Sequence, residues 1–150
     1  MKVVILSGSV YGTAEEVARH ADRLLKAAGL DAWHNPRASL EEILAFAPQA
    51  FLAVTSTTGM GELPDSLQPL YFAIRDRCPA WNGLPGAVIG LGDSSYGDTY
   101  CGGGELVREL FAELGIREVQ DMLRLDASET VTPETDAEPW LADFVQALKG

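Results

Sequence analysis

Apolar and polar positions alternate along the chain in blocks, and the blocks change period. Val3-Val4-Ile5-Leu6 is a continuous apolar run, as expected of a strand buried on both faces. A small polar loop, Ser7 to Gly12, follows it. From Thr13 to Ala28 the apolar residues are Ala14, Val17, Ala18, Ala21, Leu24, Leu25 and Ala28, and their spacings of three and four predict one helix face closed by Gly29. Residues 31–35 read as a short strand, and Ser39-Leu40-Glu41-Glu42 as a capping box that opens a short helix. Ala50-Phe51-Leu52-Ala53-Val54-Thr55 is a third strand, with a second polar loop from Ser56 to Asp65. Asp65 or Ser66 is the expected cap of a helix that shows Leu67, Leu70, Tyr71 and Ile74 on one face. Ala87 to Leu91 is a fourth strand, and a third polar loop runs from Gly92 to Gly104. A helix over Leu106 to Leu114 ends at Gly115. A weaker fifth strand falls within 118–125, and a last helix starts near Asp136 with Trp140, Leu141, Phe144, Val145 and Leu148 inward.

Strand and helix alternating five times predicts an α/β domain with a parallel sheet covered on both faces. In such sheets ligands bind beyond the carboxyl ends of the strands, at the point where the winding reverses. The loops after the first, third and fourth strands are therefore the candidate site. With 150 residues, the chain fits one domain spanning 1–150, and 47% hydrophobic residues suffice for a core.

Charge narrows the partners. Eleven Lys and Arg against 22 Asp and Glu leave a net charge of −11, which excludes nucleic acid and an anionic membrane surface. The charge suits docking onto a basic partner, and suits plain solubility equally well. The two cysteines, Cys78 and Cys101, form no metal pattern and fit a reducing compartment. The opening apolar run is too short for a secretion signal or a membrane span, so the expected location is the cytoplasm.

Chemistry concentrates in the three loops. Ser7-Gly8-Ser9-Val10-Tyr11-Gly12-Thr13 lies between a buried strand and a helix N-terminus, where free N–H groups and the helix dipole favour an anion. Ser7, Ser9 and Thr13 add hydroxyl donors. No lysine follows Gly12, so the loop does not match a nucleoside-triphosphate P-loop and suits a phosphate monoester held by neutral donors. A hydroxyl-rich turn that only caps the helix is the alternative. In the second loop, Gly59 and Gly61 flank Met60 and permit a peptide flip. In the third, Tyr96 sits among small polar residues, placed to stack on a planar ligand.

Together these loops resemble the flavodoxin family, in particular its short freestanding members and the flavin domains of diflavin reductases. Ser7 to Glu15 matches Ser-Gly-Ser-x-x-Gly-Thr-Ala-Glu, Ser56 to Asp65 matches Ser-Thr-x-Gly-x-Gly-acid-x-Pro-Asp, and Gly90 to Cys101 follows the third motif with Tyr96 on its tyrosine. The resemblance covers nearly the whole chain. It implies a flavodoxin-like sheet of order 2-1-3-4-5, flavin mononucleotide (FMN) as cofactor, and an electron carrier rather than an enzyme. It implies a monomer that takes electrons from an NADPH-dependent flavoprotein reductase and passes them to a redox enzyme as acceptor.

By the same resemblance, Ser7, Ser9, Val10, Tyr11, Gly12 and Thr13 wrap the FMN phosphate. Thr57, Thr58, Gly59 and Met60 line one side of the ring, and Tyr96 stacks on the other. Leu91, Gly92, Asp93, Asp98 and Cys101 surround the pyrimidine edge or lie close behind it. Diflavin-type domains carry an aromatic at the place of Thr58, leaving Tyr96 as the evident stacking partner and Met60 as a soft sulfur contact. The stretch from Gly115 to Asp126 has no room for the insertion that long-chain members carry in their last strand. His20 and His34 are expected to be ordinary surface or edge residues, and Trp33, Trp81 and Trp140 to pack in or near the core. An FMN-dependent reductase and a weakly binding accessory or sensor protein are the competing functions.

Overall fold

The structure, a computed structural model, describes residues 1–58, 61–92, 101–126, 130 and 132–150. Its sheet runs through β1 (Lys2–Gly8), β2 (Asp31–His34), β3 (Ala50–Thr55), β4 (Pro85–Gly92), β5 (Arg117–Glu118) and β6 (Leu123–Asp126). The strand order is β2-β1-β3-β4-β5, with β6 also on β4, and every pairing is parallel. The helices are α1 (Thr13–Ala27), α2 (Leu40–Phe46), α3 (Gln68–Arg77), α4 (Gly102–Glu113), α5 (Pro133–Asp136) and α6 (Glu138–Lys149). None of them is long and apolar enough to cross a membrane, among the described residues.

Alternate residues of the strands feed two cores. Val3 and Ile5 of β1 join Val17, Ala18, Ala21 and Leu25 of α1 and Leu141, Phe144 and Leu148 of α6. Val4 and Leu6 turn the other way, toward Ile43 of α2, Ile74 of α3 and Val107, Leu110 and Phe111 of α4. The central strand β3 is buried along its whole length, which explains its unbroken apolar sequence. The tryptophans follow the expected pattern. Trp81 is buried against Phe51, Trp33 is half-buried against Phe46, and half-buried Trp140 stacks on Phe144 at 5.6 Å.

Several helix ends obey local chemistry. Gly29, at φ 89°, closes α1; its N–H bonds Lys26 O at 3.0 Å and the Leu30 N–H bonds Leu25 O at 3.1 Å, the paired pattern of a Schellman end. Ser39 and Glu42 exchange both hydrogen bonds of the expected capping box.

Three expectations need correction. Neither Asp65 nor Ser66 caps α3; its N-cap is Leu67 with no side-chain cap bond, and Ser66 is drawn instead to the first loop. The helix expected over Leu106 to Leu114 begins four residues earlier, at Gly102. Its three opening glycines read as loop by propensity, but they are required by close packing: a Cβ on Gly102 would lie 2.7 Å from Gly61 Cα, and one on Gly104 would lie 3.0 Å from Gly90 Cα. The fifth strand is two pieces, β5 against Pro85 and Gly86 and β6 against Ile89 to Gly92. Between them the chain turns to α6, where Gln120 Nε2 donates to Trp140 O at 2.8 Å and Trp140 Nε1 donates to Asp121 O at 2.9 Å. Only the four residues 119–122 separate the two pieces, so no long insertion interrupts this edge.

Candidate functional site

The carboxyl ends of β1, β3 and β4 meet at one rim of the sheet. Ser7, Val54 and Ile89 lie in register there, and the loops that follow these strands are stitched together. The Ser56 N–H donates to Gly8 O at 2.9 Å, tying the second loop to the first. The Ser9 N–H donates to Ser66 Oγ at 3.3 Å, on the residue before the α3 N-cap. Thr57 Oγ1 donates to Leu91 O at 3.0 Å and accepts the Gly103 N–H at 3.0 Å, joining β3, β4 and α4 through one hydroxyl.

The first loop is built to receive an anion. α1 starts at Thr13 behind Gly12, whose φ of 89° is a left-handed conformation that suits glycine, and no side chain caps the helix. A helix N-terminus leaves its first N–H groups without intrahelical acceptors and carries a partial positive charge. Beside it, Ser9 Oγ is buried and has no hydrogen-bond partner among the described residues. A buried hydroxyl left unpaired costs about 1–3 kcal/mol, so such a group marks a place for a missing acceptor. Val10 and Tyr11 project outward, Tyr11 almost wholly exposed at 94%.

The second loop folds back on itself. The Thr58 N–H donates to Glu62 O at 2.8 Å, the Glu62 N–H donates to Thr58 O at 2.7 Å, and the pair forms an antiparallel bridge. Gln68 Nε2 holds the residue that follows this bridge by donating to Leu63 O at 2.9 Å. The third wall is the start of α4. Cys101 is fully buried at its N-cap, in a left-handed conformation with φ 57°, and its thiol donates to Gly90 O at 3.4 Å.

The site residues expected from the sequence therefore divide into three groups. Ser7, Ser9, Val10, Tyr11, Gly12 and Thr13 form one loop, and Thr57 and Thr58 stand next to it. Leu91 and Cys101 are buried beneath the rim, and Gly92 is half-buried. Gly59, Met60, Asp93, Tyr96 and Asp98 lie outside the described residues.

Two residues went unpredicted. Ser66 brackets Ser9, and His34, expected to be an ordinary edge residue, places Nε2 2.7 Å from Ser7 Oγ. Burial holds the His34 imidazole below its ordinary pKa of 6.5, against the opposing pull of Asp22 and Glu15. His20 conforms to expectation as an edge residue, bonded to Glu138 at 2.7 Å.

Among known proteins, the family model described as Flavodoxin matches residues 5–140. A solved structure, a C101A mutant of flavodoxin from Pseudomonas aeruginosa, is 81% identical over all of both chains with a TM-score of 0.97. Flavodoxin YqcA of Pectobacterium carotovorum is 42% identical over 149 residues, covering 97% of this chain and 98% of its own. Protein MioC of Escherichia coli is 32% identical over 149 residues, covering 98% of each.

Proposed function

The chain belongs to the flavodoxin family, and from that premise we propose that it holds FMN at the rim of the sheet and carries electrons between two protein partners. The donor is an NADPH-dependent flavoprotein reductase and the acceptor is a redox enzyme. The observation that carries the reading is Ser9 Oγ, buried without a partner at an uncapped helix N-terminus. A phosphate monoester supplies the acceptor oxygens that this hydroxyl and the α1 N–H groups lack. Its charge of about −1.5 to −2 needs no basic side chain when dipoles and hydroxyls converge on it.

When bound, FMN supplies one- and two-electron chemistry that no side chain of the protein can perform. The residues orient it. Ser9, Gly12 and Thr13 would hold the phosphate end; the paired backbones of Thr58 and Glu62 would offer a wall to the ring; the Thr57 hydroxyl, already engaged by Leu91 and Gly103, ties that loop to β4. Net charge −11 disfavours added negative charge on the cofactor and so lowers the potential of its second reduction. The same charge favours partners with basic docking faces. We place the protein in the cytoplasm as a monomer, a location that suits a chain whose two cysteines are thiols.

Titration of FMN into the apoprotein, followed by flavin fluorescence, tests the proposal. Quenching with a submicromolar midpoint supports it. No quenching up to roughly 100 μM, only about 5 kcal/mol of binding, removes it.

A further inference from the structure

The Ser7–His34 contact is a side-chain bond outside the backbone ladder of the sheet. Register pairs His34 with Ile5, so its side chain lies on the α1 face of the sheet, and its Nε2 reaches forward to the Ser7 hydroxyl two residues before Ser9. We propose that His34 is a positioning residue for a phosphate monoester in this loop, holding the Ser7 hydroxyl beneath the cradle and taking up a proton when the phosphate enters. The inference rests on the proposed FMN site and goes beyond it, because it gives that neutral cradle a positive charge that exists only when the site is filled.

The chemistry follows from what surrounds the ring. β1 contributes the Ser7 hydroxyl, and its only charged side chain, Lys2, is at the opposite end of the strand; the only other charge on β2, Asp31, is at that same far end. From α1, Glu15 and Asp22 favour the charged imidazole and Arg19 disfavours it, and burial outweighs them all. Of the Asp22 carboxylate, Oδ2 accepts from Lys26 at 2.9 Å while Oδ1 is buried without a partner among the described residues. Burial thus favours the neutral imidazole, while the α1 carboxylates pull toward the charged form. A phosphate dianion arriving at Ser9 adds to that pull and draws a proton from solvent onto the ring. As imidazolium, His34 donates from Nε2 to Ser7 Oγ, which turns the Ser7 hydroxyl hydrogen away from the ring and toward the loop.

The sign is fixed by linkage. His34 binds its proton more tightly in the loaded protein than in the empty one, so its help to binding is full at low pH and is lost as pH rises through the loaded value. The test compares FMN affinity of the wild type and His34→Gln at pH 5.5 and 8.0 by fluorescence quenching, with riboflavin as a phosphate-free probe. Glutamine keeps a donor and removes the titration. The FMN phosphate itself titrates near 6, but equally with both proteins, so the ratio of their affinities isolates His34. That ratio should favour the wild type by roughly three- to tenfold more at pH 5.5 than at pH 8.0, a fraction of one pKa unit up to a full one. Riboflavin should show no such change. Imidazole NMR on the wild type, which needs no variant, should show the His34 pKa rise on loading with FMN. A flat ratio, the same pH dependence with riboflavin, or an unmoved His34 pKa overturns the inference while leaving the FMN site intact. Failure of the wild type to bind FMN at either pH overturns both.

Discussion

Gly103 is where the site can be broken most cleanly by a single methyl group. Its N–H donates to Thr57 Oγ1 at 3.0 Å, and its Cα faces the second loop so closely that a Cβ would overlap the Ser56 carbonyl oxygen and lie 3.3 Å from Thr57 Oγ1. The obstructing oxygen is backbone, in a residue that is itself bonded to Gly8 at 2.9 Å, so it has little freedom to withdraw. In Gly103→Ala, overpacking costs about 1–3 kcal/mol, and stretching the bond to Thr57 adds about 1 kcal/mol. Against these, alanine is the better helix former by about 1 kcal/mol. Clash wins over propensity, and the expected net loss is about 1–3 kcal/mol. For 150 residues, with about 2.1 cal/mol/K of unfolding entropy each, that is a fall in Tm of roughly 3–10 °C. Urea and thermal unfolding of the apoprotein measure it, with Glu109→Ala on the exposed side of the same helix as a control within about 0.5 kcal/mol of wild type. A Gly103→Ala protein as stable as wild type, or more so, would refute the argument that close approach rather than chance places glycine here. The same displacement separates the second loop from β4, so FMN affinity should fall together with stability.

Ser9→Ala separates the two instead. It removes a buried hydroxyl that has no partner, so apoprotein stability should hold or rise, whereas FMN binding should weaken about 10- to 100-fold through loss of a bond to a charged group; unchanged affinity would remove Ser9 from the site. Ser39→Ala removes the hydroxyl arm of the α2 capping box, the acceptor of the Glu42 N–H, and should cost about 1 kcal/mol in urea unfolding without altering FMN affinity. His34, neutral in the folded apoprotein because of burial, also predicts a pH effect on stability. The unfolded chain binds the proton more tightly, so this contribution is full above pH 6.5 and is lost as pH falls from 6.5 toward the lowered folded value. Between pH 7.5 and 5.5 the wild-type apoprotein should lose stability relative to His34→Gln, and equal losses would contradict the burial argument.

What could be read from the chain, and what could not, divides by how far apart the cooperating residues are. β3 and the core of β4 were legible because burial on both faces writes a continuous apolar run, and α1 because one face and Gly29 define it locally. The phosphate loop was legible for the same reason: strand end, hydroxyls, glycine and helix start are consecutive. The errors all involve distant partners. Ser66 has the chemistry of a cap, but Ser9, 57 residues away, takes its hydroxyl. The fifth strand is broken because Gln120 and Asp121 bond Trp140 of α6, which no local period encodes. Gly102 to Gly104 look like loop, since three glycines oppose helix formation by about 1 kcal/mol each, yet Gly61, Ser56 and Gly90 approach so closely that only glycine fits. His34 became a site residue only once β2 was known to lie beside β1, for then the ends of the two strands are neighbours. The site thus has two parts of different origin. Its anion-binding loop is local and sequence-encoded, whereas the walls that fix where a flavin ring would lie depend on contacts between segments more than 40 residues apart, such as Thr57 with Gly103. Substitutions in the first part should change affinity alone, and substitutions in the second should change affinity and stability together.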